Sequence, residues 1–474
     1  MNSYGLIIDG KKIVTEKTFG VRNPATGEVY AQCPVAETSH LDQAVAAARE
    51  AFITWSRLDD AVRQAKIHAL ADILEKHNAE LMEILTSENG KPLGGYQGIG
   101  SAMELGGSIA WTRATAELTL PVEVIQDNDD ARIEVHRKPL GVVASIPPWN
   151  WPLMIAIWHV MPALRVGNTV VIKPSSLTPL TTLRFVELAN EVLPPGVFNI
   201  VTAESGIGSA MAKHPGFDKI VFTGSTPTGK TIMQNGAANL KRCTLELGGN
   251  DAGIVLPDVD PKEVAAKLFT VGFHNNGQTC ACLKRLYVHE AVYDDICREM
   301  VAIAGGVSMG NGMEAGVDFG PLQNEEQLKF VCELAEDAKK AGGRILCGGE
   351  RPAGPGYFFP ITLVADITDG TRLVDEEQFG PILPIIKYSD VDDAIRRANN
   401  SPYGLGGSIW SKDLVKAKQL ASRLECGTVW VNDHASVQPN APFGGVKESG
   451  YGVEFGHYGL VEYTSIQTLK LSKK

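Results

Sequence analysis

Two blocks of this sequence bring a thiol and a carboxylate into glycine-rich turns. The first is the run LELGGN at 245–250, which contains Glu246, and the second is the run GQTC at 277–280, which ends on Cys280. A cysteine attacks as the thiolate, which forms with an ordinary pKa of about 8.5, so it needs a polar turn rich in N–H groups. The two blocks therefore indicate covalent catalysis by Cys280 with Glu246 as a separate base.

Five further motifs accompany these blocks. They are PWNWP at 148–152, KPS at 173–175, FTGSTPTG at 222–229, EEQFGP at 376–381 and PFGG at 442–445. A cysteine taken alone is more often a small buried hydrophobe, so the assignment of Cys280 depends on this wider pattern. With these motifs in this order, the sequence resembles the aldehyde dehydrogenase superfamily along nearly its whole length. The resemblance implies NAD(P)-dependent oxidation of an aldehyde through a cysteine thiohemiacetal and a thioester.

The resemblance also assigns roles at the reacting centre. Cys280 is the expected nucleophile, and the side chain of Asn150 is expected to stabilise the oxyanion together with the backbone N–H of Cys280. One such donor is worth roughly 3 to 4 kcal/mol in a transition state. Glu246 is the expected base that activates water, and Glu454 matches a second carboxylate sometimes involved in proton relay. His274 leaves a Cys-His hydrolase open, although residues six apart in a loop need not face one another.

The coenzyme implied by the resemblance is NAD, held without a metal ion. Ser225 is expected near the phosphates, Lys173 at the adenosine ribose, and Glu377 with Phe379 at the nicotinamide riboside. Many NAD-preferring relatives carry Glu where this chain has Ser176, so no carboxylate repels a 2′-phosphate and NADP is also expected to be accepted. The residues expected to line the coenzyme site are Pro148, Trp149, Lys173, Ser176, Gly224, Ser225, Gly229, Gly248, Glu377 and Phe379.

A function of another class competes for part of this site. The run GSTPTGKT at 224–231 satisfies the P-loop pattern between an apolar strand and a helical segment, which leaves a nucleotide triphosphatase as an alternative. Pro227 has no N–H to offer a phosphate, and no apolar strand ends in a suitable magnesium-binding Asp. A scaffold of the same family that has lost its chemistry is disfavoured, because the cysteine, glutamate and asparagine are all present.

The expected substrate wall is largely apolar. It comprises Trp151, Met154, Ile155, Trp158, His274, Thr279, Val437 and Phe443. Since none of these is strongly charged, an apolar aldehyde is favoured, either medium-chain aliphatic or aromatic. A semialdehyde dehydrogenase of the same superfamily is the alternative, and Arg113 is the nearest basic residue for a distal carboxylate.

Bulk properties limit the classes of protein that fit. The 474 residues are 44% hydrophobic, and a net charge of -11 argues against a nucleic-acid partner. Eight scattered cysteines and a start, residues 1–9, that is unlike a signal peptide favour the reducing cytoplasm. The uncharged segment 140–164 is long enough to span a membrane, but its four prolines predict a buried strand at 141–146, a loop and a buried helix instead.

The elements that must position these residues alternate between helix and strand. Helical patterns cover 40–55, 59–88, 178–192, 260–275 and 324–341. Apolar runs at 169–172, 198–201, 219–222, 253–256, 285–288, 344–347, 359–364 and 382–388 predict strands of two α/β lobes. Alternation at 132–137 and 464–471 predicts two half-exposed strands. The resemblance implies a Rossmann-like dinucleotide-binding domain (1–119 and 140–247), an α/β catalytic domain (248–455) and a small oligomerisation sheet (120–139 and 456–474) in a homodimer or homotetramer.

Overall fold

The computed structural model describes residues 4–474, so the first three residues of the predicted dinucleotide-binding segment and of the chain's start lie outside it. The elements of the first half, in chain order, are β1 (Leu6–Ile8), β2 (Lys11–Ile13), β3 (Thr18–Arg22), β4 (Val29–Pro34), α1 (Thr38–Trp55), α2 (Asp60–Lys76), α3 (Asn78–Asn89), α4 (Ser101–Glu117), β5 (Glu123–Asp127), β6 (Ala131–Pro139), β7 (Val142–Ile146), α5 (Pro152–Arg165), β8 (Thr169–Ile172), α6 (Leu180–Ala189), β9 (Phe198–Ile200), α7 (Ile207–Lys213), β10 (Lys219–Thr223), α8 (Thr226–Gly236) and β11 (Arg242–Glu246).

The second half continues the alternation. Its elements are β12 (Asp251–Val255), α9 (Pro261–Gly272), β13 (Leu283–His289), α10 (Glu290–Ala304), α11 (Glu325–Lys340), β14 (Arg344–Cys347), β15 (Thr362–Ala365), α12 (Arg372–Asp375), β16 (Ile382–Tyr388), α13 (Val391–Asn399), β17 (Tyr403–Gly404), β18 (Gly406–Trp410), α14 (Leu414–Ala421), β19 (Thr428–Val431), β20 (Val446–Lys447), β21 (Gly450–Tyr451), α15 (Gly456–Val461) and β22 (Thr464–Ser472).

The first large sheet has the strand order β2-β1-β9-β8-β7-β10-β11-β21, and its five central strands are parallel. Successive residues of a strand point to opposite faces, so Val143 packs with α5 and α6 on one face while Ala144 packs with α1 and α7 on the other. Burial on both faces explains why these strands are continuous apolar runs. The carboxyl ends of β7, β10 and β11 meet at one edge of this sheet.

The second large sheet has the order β14-β15-β16-β13-β12-β18-β19, in which the six strands from β15 to β19 are parallel. Helices α11, α13 and α14 cover one face, and α9 with α10 covers the other. The two helix-covered sheets confirm the predicted α/β fold class, whereas the three-part division of the chain stays a prediction.

A small sheet stands apart from these two. It has the order β22-β6-β5, and the register between β22 and β6 runs from Thr464 opposite Pro139 to Ser472 opposite Ala131. Both predicted alternating strands are therefore present and paired with each other. Beyond its first two residues β22 is exposed in the single chain, which is more open than the half-exposed strand expected.

Two segments correct the sequence predictions in detail, and a third agrees with them. The helix predicted over 59–88 is broken at His77 into α2 and α3, because His77 leaves the helical conformation at φ -103° and ψ 17°. The strand predicted at 359–364 begins only at Thr362. The segment 140–164 forms β7, a loop and the buried helix α5 as expected. Within residues 4–474, each helix falls short of the length and hydropathy needed to cross a membrane.

Candidate active site

A groove of about 460 Å³ lies at the carboxyl ends of β7, β8, β10 and β11, where the second sheet adjoins them. Ligands of open α/β sheets bind at this end of the strands. Of the ten residues expected at the coenzyme site, nine line the groove: Pro148, Trp149, Lys173, Ser176, Gly224, Ser225, Gly248, Glu377 and Phe379. Asn150 and Cys280 line the same groove, so the structure brings the expected nucleophile and its expected oxyanion donor into one site.

Gly229 is the exception, because it does not line the groove. It lies one turn inside α8, where a Cβ atom would stand 2.5 Å from the Leu247 side chain, so it serves helix packing. Thr228, which was not predicted, lines the groove instead and accepts a 2.9 Å hydrogen bond from the Ser225 hydroxyl.

The segment that satisfies the P-loop pattern does not form a loop. Helix α8 already begins at Thr226, so only Gly224 and Ser225 form the turn between β10 and the helix. Lys230 points outward and pairs with Glu448 at 2.8 Å rather than reaching over the turn. The helix N-terminus can still receive a phosphate, but the wrapped loop of a triphosphatase is not formed.

The nucleophile follows a sharply folded turn. Asn275, Asn276 and Gly277 all have positive φ, and a Cβ on Gly277 would stand 2.1 Å from the carbonyl oxygen of Gly380. That close approach requires glycine and fixes the direction of the chain into Cys280. Burial raises the pKa of the Cys280 thiol to about 12.

The two cysteines of the run Cys-Ala-Cys occupy different surroundings. Cys280 is partly exposed, while Cys282 is buried and its thiol lies 3.4 Å from the carbonyl oxygen of His274. His274 itself is half-buried and stacks edge-on against Trp151, with ring centroids 5.2 Å apart. Burial lowers the pKa of His274 to about 4, so it is a neutral packing residue rather than a partner of the thiol.

Asn150 is held by both its backbone and its side chain. Its side-chain Nδ2 donates to the carbonyl oxygen of Gln278 at 2.9 Å, which fixes the amide orientation and leaves the second N–H of that group for a ligand. Its own carbonyl oxygen accepts from Lys91 Nζ at 2.9 Å and from Asn275 Nδ2 at 3.0 Å. The loop that carries Asn150 is therefore locked to the turn that carries Cys280.

A buried ion pair, which the sequence analysis missed, supports this loop. The Lys91 ammonium binds the Glu104 carboxylate, and the other oxygen of Glu104 accepts from the backbone N–H groups of Leu153 and Met154 at 2.9 and 3.1 Å. Glu104 thus binds the first turn of α5, where a negative charge is stabilised by the helix dipole. Lysine and glutamate together hold both ends of the Asn150 loop.

Glu246 ends β11 but does not line the groove. Both carboxylate oxygens are buried and lack a hydrogen-bond partner among residues 4–474. Burial, and then the Glu454 carboxylate, raise the pKa of Glu246 well above its usual range. Burial therefore favours the protonated form of Glu246, which acts as a base only after it ionises.

Glu454 continues a polar path behind Glu246. One of its oxygens lies 3.4 Å from His159 Nε2, which also hydrogen-bonds Thr223 at 2.9 Å. Burial raises the pKa of Glu454 to about 8 and lowers that of His159 to about 3. The two carboxyl groups influence each other electrostatically, so ionisation of one disfavours ionisation of the other.

The expected substrate wall divides into two adjoining clusters. Trp158, Val437 and Phe443 share one apolar cluster with Cys280, together with Trp111 and Phe455, which were not predicted. The remaining apolar members, Trp151, Met154 and Ile155, form the second cluster, which meets the first through Trp158. Thr279 accepts a 2.9 Å hydrogen bond from the Trp151 indole, so both side chains support the wall from behind.

Arg113 is not part of this wall. Its guanidinium pairs with Asp72 at 2.9 Å and with Glu75 at 2.7 Å on the outer surface of the protein. The basic residue considered for a semialdehyde carboxylate is therefore engaged elsewhere, and that assignment was wrong.

Comparison with known proteins gives one consistent result. The sequence model described as the aldehyde dehydrogenase family matches residues 12–469. Among curated relatives, phenylacetaldehyde dehydrogenase of Pseudomonas fluorescens is 39% identical, with 97% of this chain and 93% of the relative covered. Aldehyde dehydrogenase 1A1 of Mesocricetus auratus is also 39% identical with the same shares covered.

Solved structures agree with the sequence relatives. The NAD⁺ complex of aldehyde dehydrogenase from Bacillus cereus superposes with a TM-score of 0.96 at 36% identity, covering 100% of this chain and 97% of that one. Betaine aldehyde dehydrogenase of Staphylococcus aureus, also in complex with NAD⁺, gives a TM-score of 0.94 at 33% identity, covering 99% and 94%. The predicted fold is confirmed by this likeness.

The Lys91–Glu104 pair yields a prediction about stability. Lys91→Met leaves a buried carboxylate without its cation, which typically costs about 3 to 5 kcal/mol. We expect urea denaturation to show a loss of that size, and Lys91→Met with Glu104→Gln to lose less than the two single changes summed. Lys329→Met, which breaks an exposed pair with Glu325, is the control and should leave the free energy of unfolding almost unchanged. Additive losses from Lys91 and Glu104 would contradict the pairing.

Proposed function

This chain belongs to the aldehyde dehydrogenase family, and we propose that it oxidises an apolar aldehyde to the carboxylic acid with NAD. One observation carries the proposal. Of the eight cysteines, all within the described residues, Cys280 is the one that lines the groove shared by the coenzyme residues. A thiol beside a dinucleotide site supports covalent capture of an aldehyde followed by removal of its hydride.

The first chemical step belongs to Cys280 and Asn150. Addition of the thiolate to the aldehyde carbon forms a C–S bond and places the carbonyl electrons on oxygen as an oxyanion. The unengaged N–H of the Asn150 amide and the backbone N–H of Cys280 are the proposed donors to that oxygen. Because hydrogen bonds to Gln278 and Lys91 already hold Asn150, little reorganisation is needed when the charge develops.

The coenzyme residues fit a dinucleotide by their chemistry. Ser225 and Thr228 stand at the N-terminus of α8, where anions bind, and Glu377 keeps one carboxylate oxygen available for ribose hydroxyls. Phe379 packs edge-on against Trp149 with ring centroids 5.3 Å apart, which gives the nicotinamide a firm wall. When bound, NAD accepts the hydride that leaves the thiohemiacetal carbon.

Glu246 is the proposed base for the last step. The thioester on Cys280 is hydrolysed by water, whose proton passes to a carboxylate. Since burial favours the protonated form of Glu246, its ionisation must precede this step. Proton transfer between the two buried carboxyl groups is the route we propose for it.

The substrate proposal depends on the wall beside Cys280. Trp158, Val437 and Phe443 belong to the same apolar cluster as Cys280. A neutral aliphatic or aromatic aldehyde is therefore favoured over a carboxylated semialdehyde. Phenylacetaldehyde dehydrogenase among the relatives supports an aromatic substrate, whereas betaine aldehyde dehydrogenase does not.

The small sheet is the proposed oligomer contact. Ile466, Leu469 and Leu471 of β22 are exposed in the single chain, as are Val124 and Ile125 of β5. Exposed apolar side chains on a sheet favour association with another chain. A homodimer or homotetramer through this sheet, in the cytoplasm, remains our proposal.

The chemical proposal is tested by trapping its intermediate. Glu246→Gln replaces the base by an amide that cannot take a proton, so an acyl group should accumulate on Cys280 after mixing with aldehyde and NAD. Mass spectrometry of the digested protein detects the adduct, and Cys280→Ala is the control that should show neither adduct nor NADH. Turnover by wild type should rise with pH as the carboxyl groups of Glu246 and Glu454 ionise, because the pKa of both is raised and that of Glu454 is about 8, and Glu246→Gln should lose that rise. Rapid turnover of Glu246→Gln without adduct would exclude the base role.

Chain length provides a second test. Each methylene buried in an apolar wall contributes about 0.8 kcal/mol, so KM should fall steeply from propanal to hexanal. We expect hexanal and phenylacetaldehyde to exceed succinic semialdehyde in kcat/KM, measured by absorbance of NADH. A flat or rising KM along the series, or preference for the semialdehyde, would refute the apolar wall.

Coenzyme choice is tested at Ser176. We expect NAD to be used best and NADP to support measurable activity, because no carboxylate at position 176 repels a 2′-phosphate. Ser176→Glu should reduce NADP use at least tenfold, since like charges in a partly desolvated groove repel by several kcal/mol. Ser176→Gln has similar size without charge and should retain NADP use. An unchanged NAD to NADP ratio in Ser176→Glu would show that position 176 does not face the ribose.

A further inference from the structure

Lys284, the second residue of β13, is a buried cation with no part in the reaction steps proposed for Cys280, Asn150 and Glu246. Its side chain is 2% exposed, and its ammonium donates to the carbonyl oxygen of Gly249 at 3.0 Å, to that of Cys280 at 2.6 Å and to Glu377 Oε1 at 2.6 Å. An ammonium has three N–H donors, so each has an acceptor. Those acceptors come from three different segments of the chain.

Each of these segments carries one part of the reaction. Gly249 belongs to the turn that follows Glu246, Cys280 is the nucleophile itself, and Glu377 is the carboxylate proposed for the nicotinamide ribose. Glu377 Oε1 also accepts from the backbone N–H of Gly249 at 3.1 Å, which closes the network. The other oxygen of Glu377 is not engaged by Lys284 and faces the groove side of Gly248, where a Cβ would stand 2.4 Å away.

Space around the network is filled by backbone. A Cβ on Gly249 would stand 2.8 Å from the carbonyl oxygen of Cys280, so the two turns touch directly. The backbone carbonyl of Lys284 accepts from Gln378 Nε2 at 2.8 Å, which fixes the strand beside the Glu377 segment. Hydrogen bonds therefore hold Lys284 both at its backbone carbonyl and at its side-chain ammonium.

We propose that Lys284 is a positioning residue that ties the nucleophile, the turn after the base and the coenzyme-binding carboxylate to one charge. The proposal rests on the proposed function for the roles of Cys280 and Glu377. Its consequence is electrostatic as well as geometric, because a buried cation beside Cys280 favours the thiolate and Glu377 opposes it.

Within residues 4–474, four ionisable side chains influence the Cys280 thiol most strongly. They are Lys284 on β13, Glu246 on β11, Asp251 on β12 and Glu377 in the segment after α12. After burial, which raises it most, the pKa of the Cys280 thiol is lowered by Lys284 and raised by the three carboxylates. Lys284 is thus the positive member of an otherwise acidic surrounding. Its removal and the removal of Glu377 must shift the thiol in opposite directions.

The test compares matched amide variants. Lys284→Gln removes the positive charge and Glu377→Gln removes a negative one, while Arg285→Gln removes a buried cation next along the strand, whose guanidinium binds the carbonyls of Asn250 and Ala398. The readout is the rate of Cys280 alkylation by iodoacetamide against pH, resolved by peptide mass spectrometry. Cys332 on α11 serves as an internal reference in every sample.

Lys284→Gln should slow alkylation of Cys280 about tenfold near neutral pH, since a pKa one unit higher lowers the thiolate fraction tenfold. Glu377→Gln should accelerate it, and Arg285→Gln should leave it within about twofold of wild type, because its charge faces other carbonyls. Shifts of the same sign in Lys284→Gln and Glu377→Gln, or equal slowing in Arg285→Gln, would overturn the proposal.

Two features keep the outcome decisive. If Lys284→Gln does not fold, Glu377→Gln alone decides, because acceleration supports the proposal and an unchanged rate overturns it. Alkylation needs neither aldehyde nor NAD, so loss of dehydrogenase activity leaves this readout intact. If the protein fails the aldehyde assays but Lys284→Gln and Glu377→Gln change the alkylation rate of Cys280 in opposite directions, the proposed function is refuted and the role of Lys284 is retained.

Discussion

The active site depends on burying charges only where each has a partner. Moving an ammonium or a carboxylate out of water costs several kcal/mol, and this cost is offset only by close pairing and by further hydrogen bonds. Lys91 meets Glu104, and Lys284 meets Glu377, each with backbone carbonyls or amides completing the set. The Lys91–Glu104 pair supports the loop that carries Asn150, and the Lys284–Glu377 pair supports the turn that carries Cys280. Both segments are therefore held in fixed positions. The geometry of the reacting groups follows from these two pairs.

Two other carboxyl groups near the groove, those of Glu246 and Glu454, differ from these paired charges. Glu246 and Glu454 are buried without such a cation partner among residues 4–474, and burial raises the pKa of both. Burying a neutral carboxylic acid costs less free energy than burying a carboxylate, so these two acids are compatible with an apolar wall beside the thiol. The same region therefore contains rigid charged supports and titratable neutral acids, and the difference between them is the presence of a lysine.

Much of this site could be predicted from motifs, because motifs mark residues that project into the groove. Cys280, Asn150 and Glu377 were identified in this way, while Lys91 and Lys284 were not. A lysine in a sequence is most often solvated, and nothing local reveals that its ammonium is surrounded by carbonyl groups from distant segments. Gly229 illustrates the reverse case, since a motif glycine expected at the coenzyme packs against Leu247. In the fold, apolar runs predicted the buried parallel strands, but β18 begins with two glycines and its burial arises from neighbouring strands.

Strand β21 connects features that are far apart in the sequence. It pairs antiparallel with β11, with Gly450 opposite Glu246, and the chain then passes Glu454 and α15 before it enters the exposed strand β22. The short segment from β21 to β22 therefore pairs with β11 beside Glu246 at one end and joins the exposed apolar sheet at the other. A second chain that packs against β22 would therefore contact a segment whose other end lies beside Glu246 and carries Glu454.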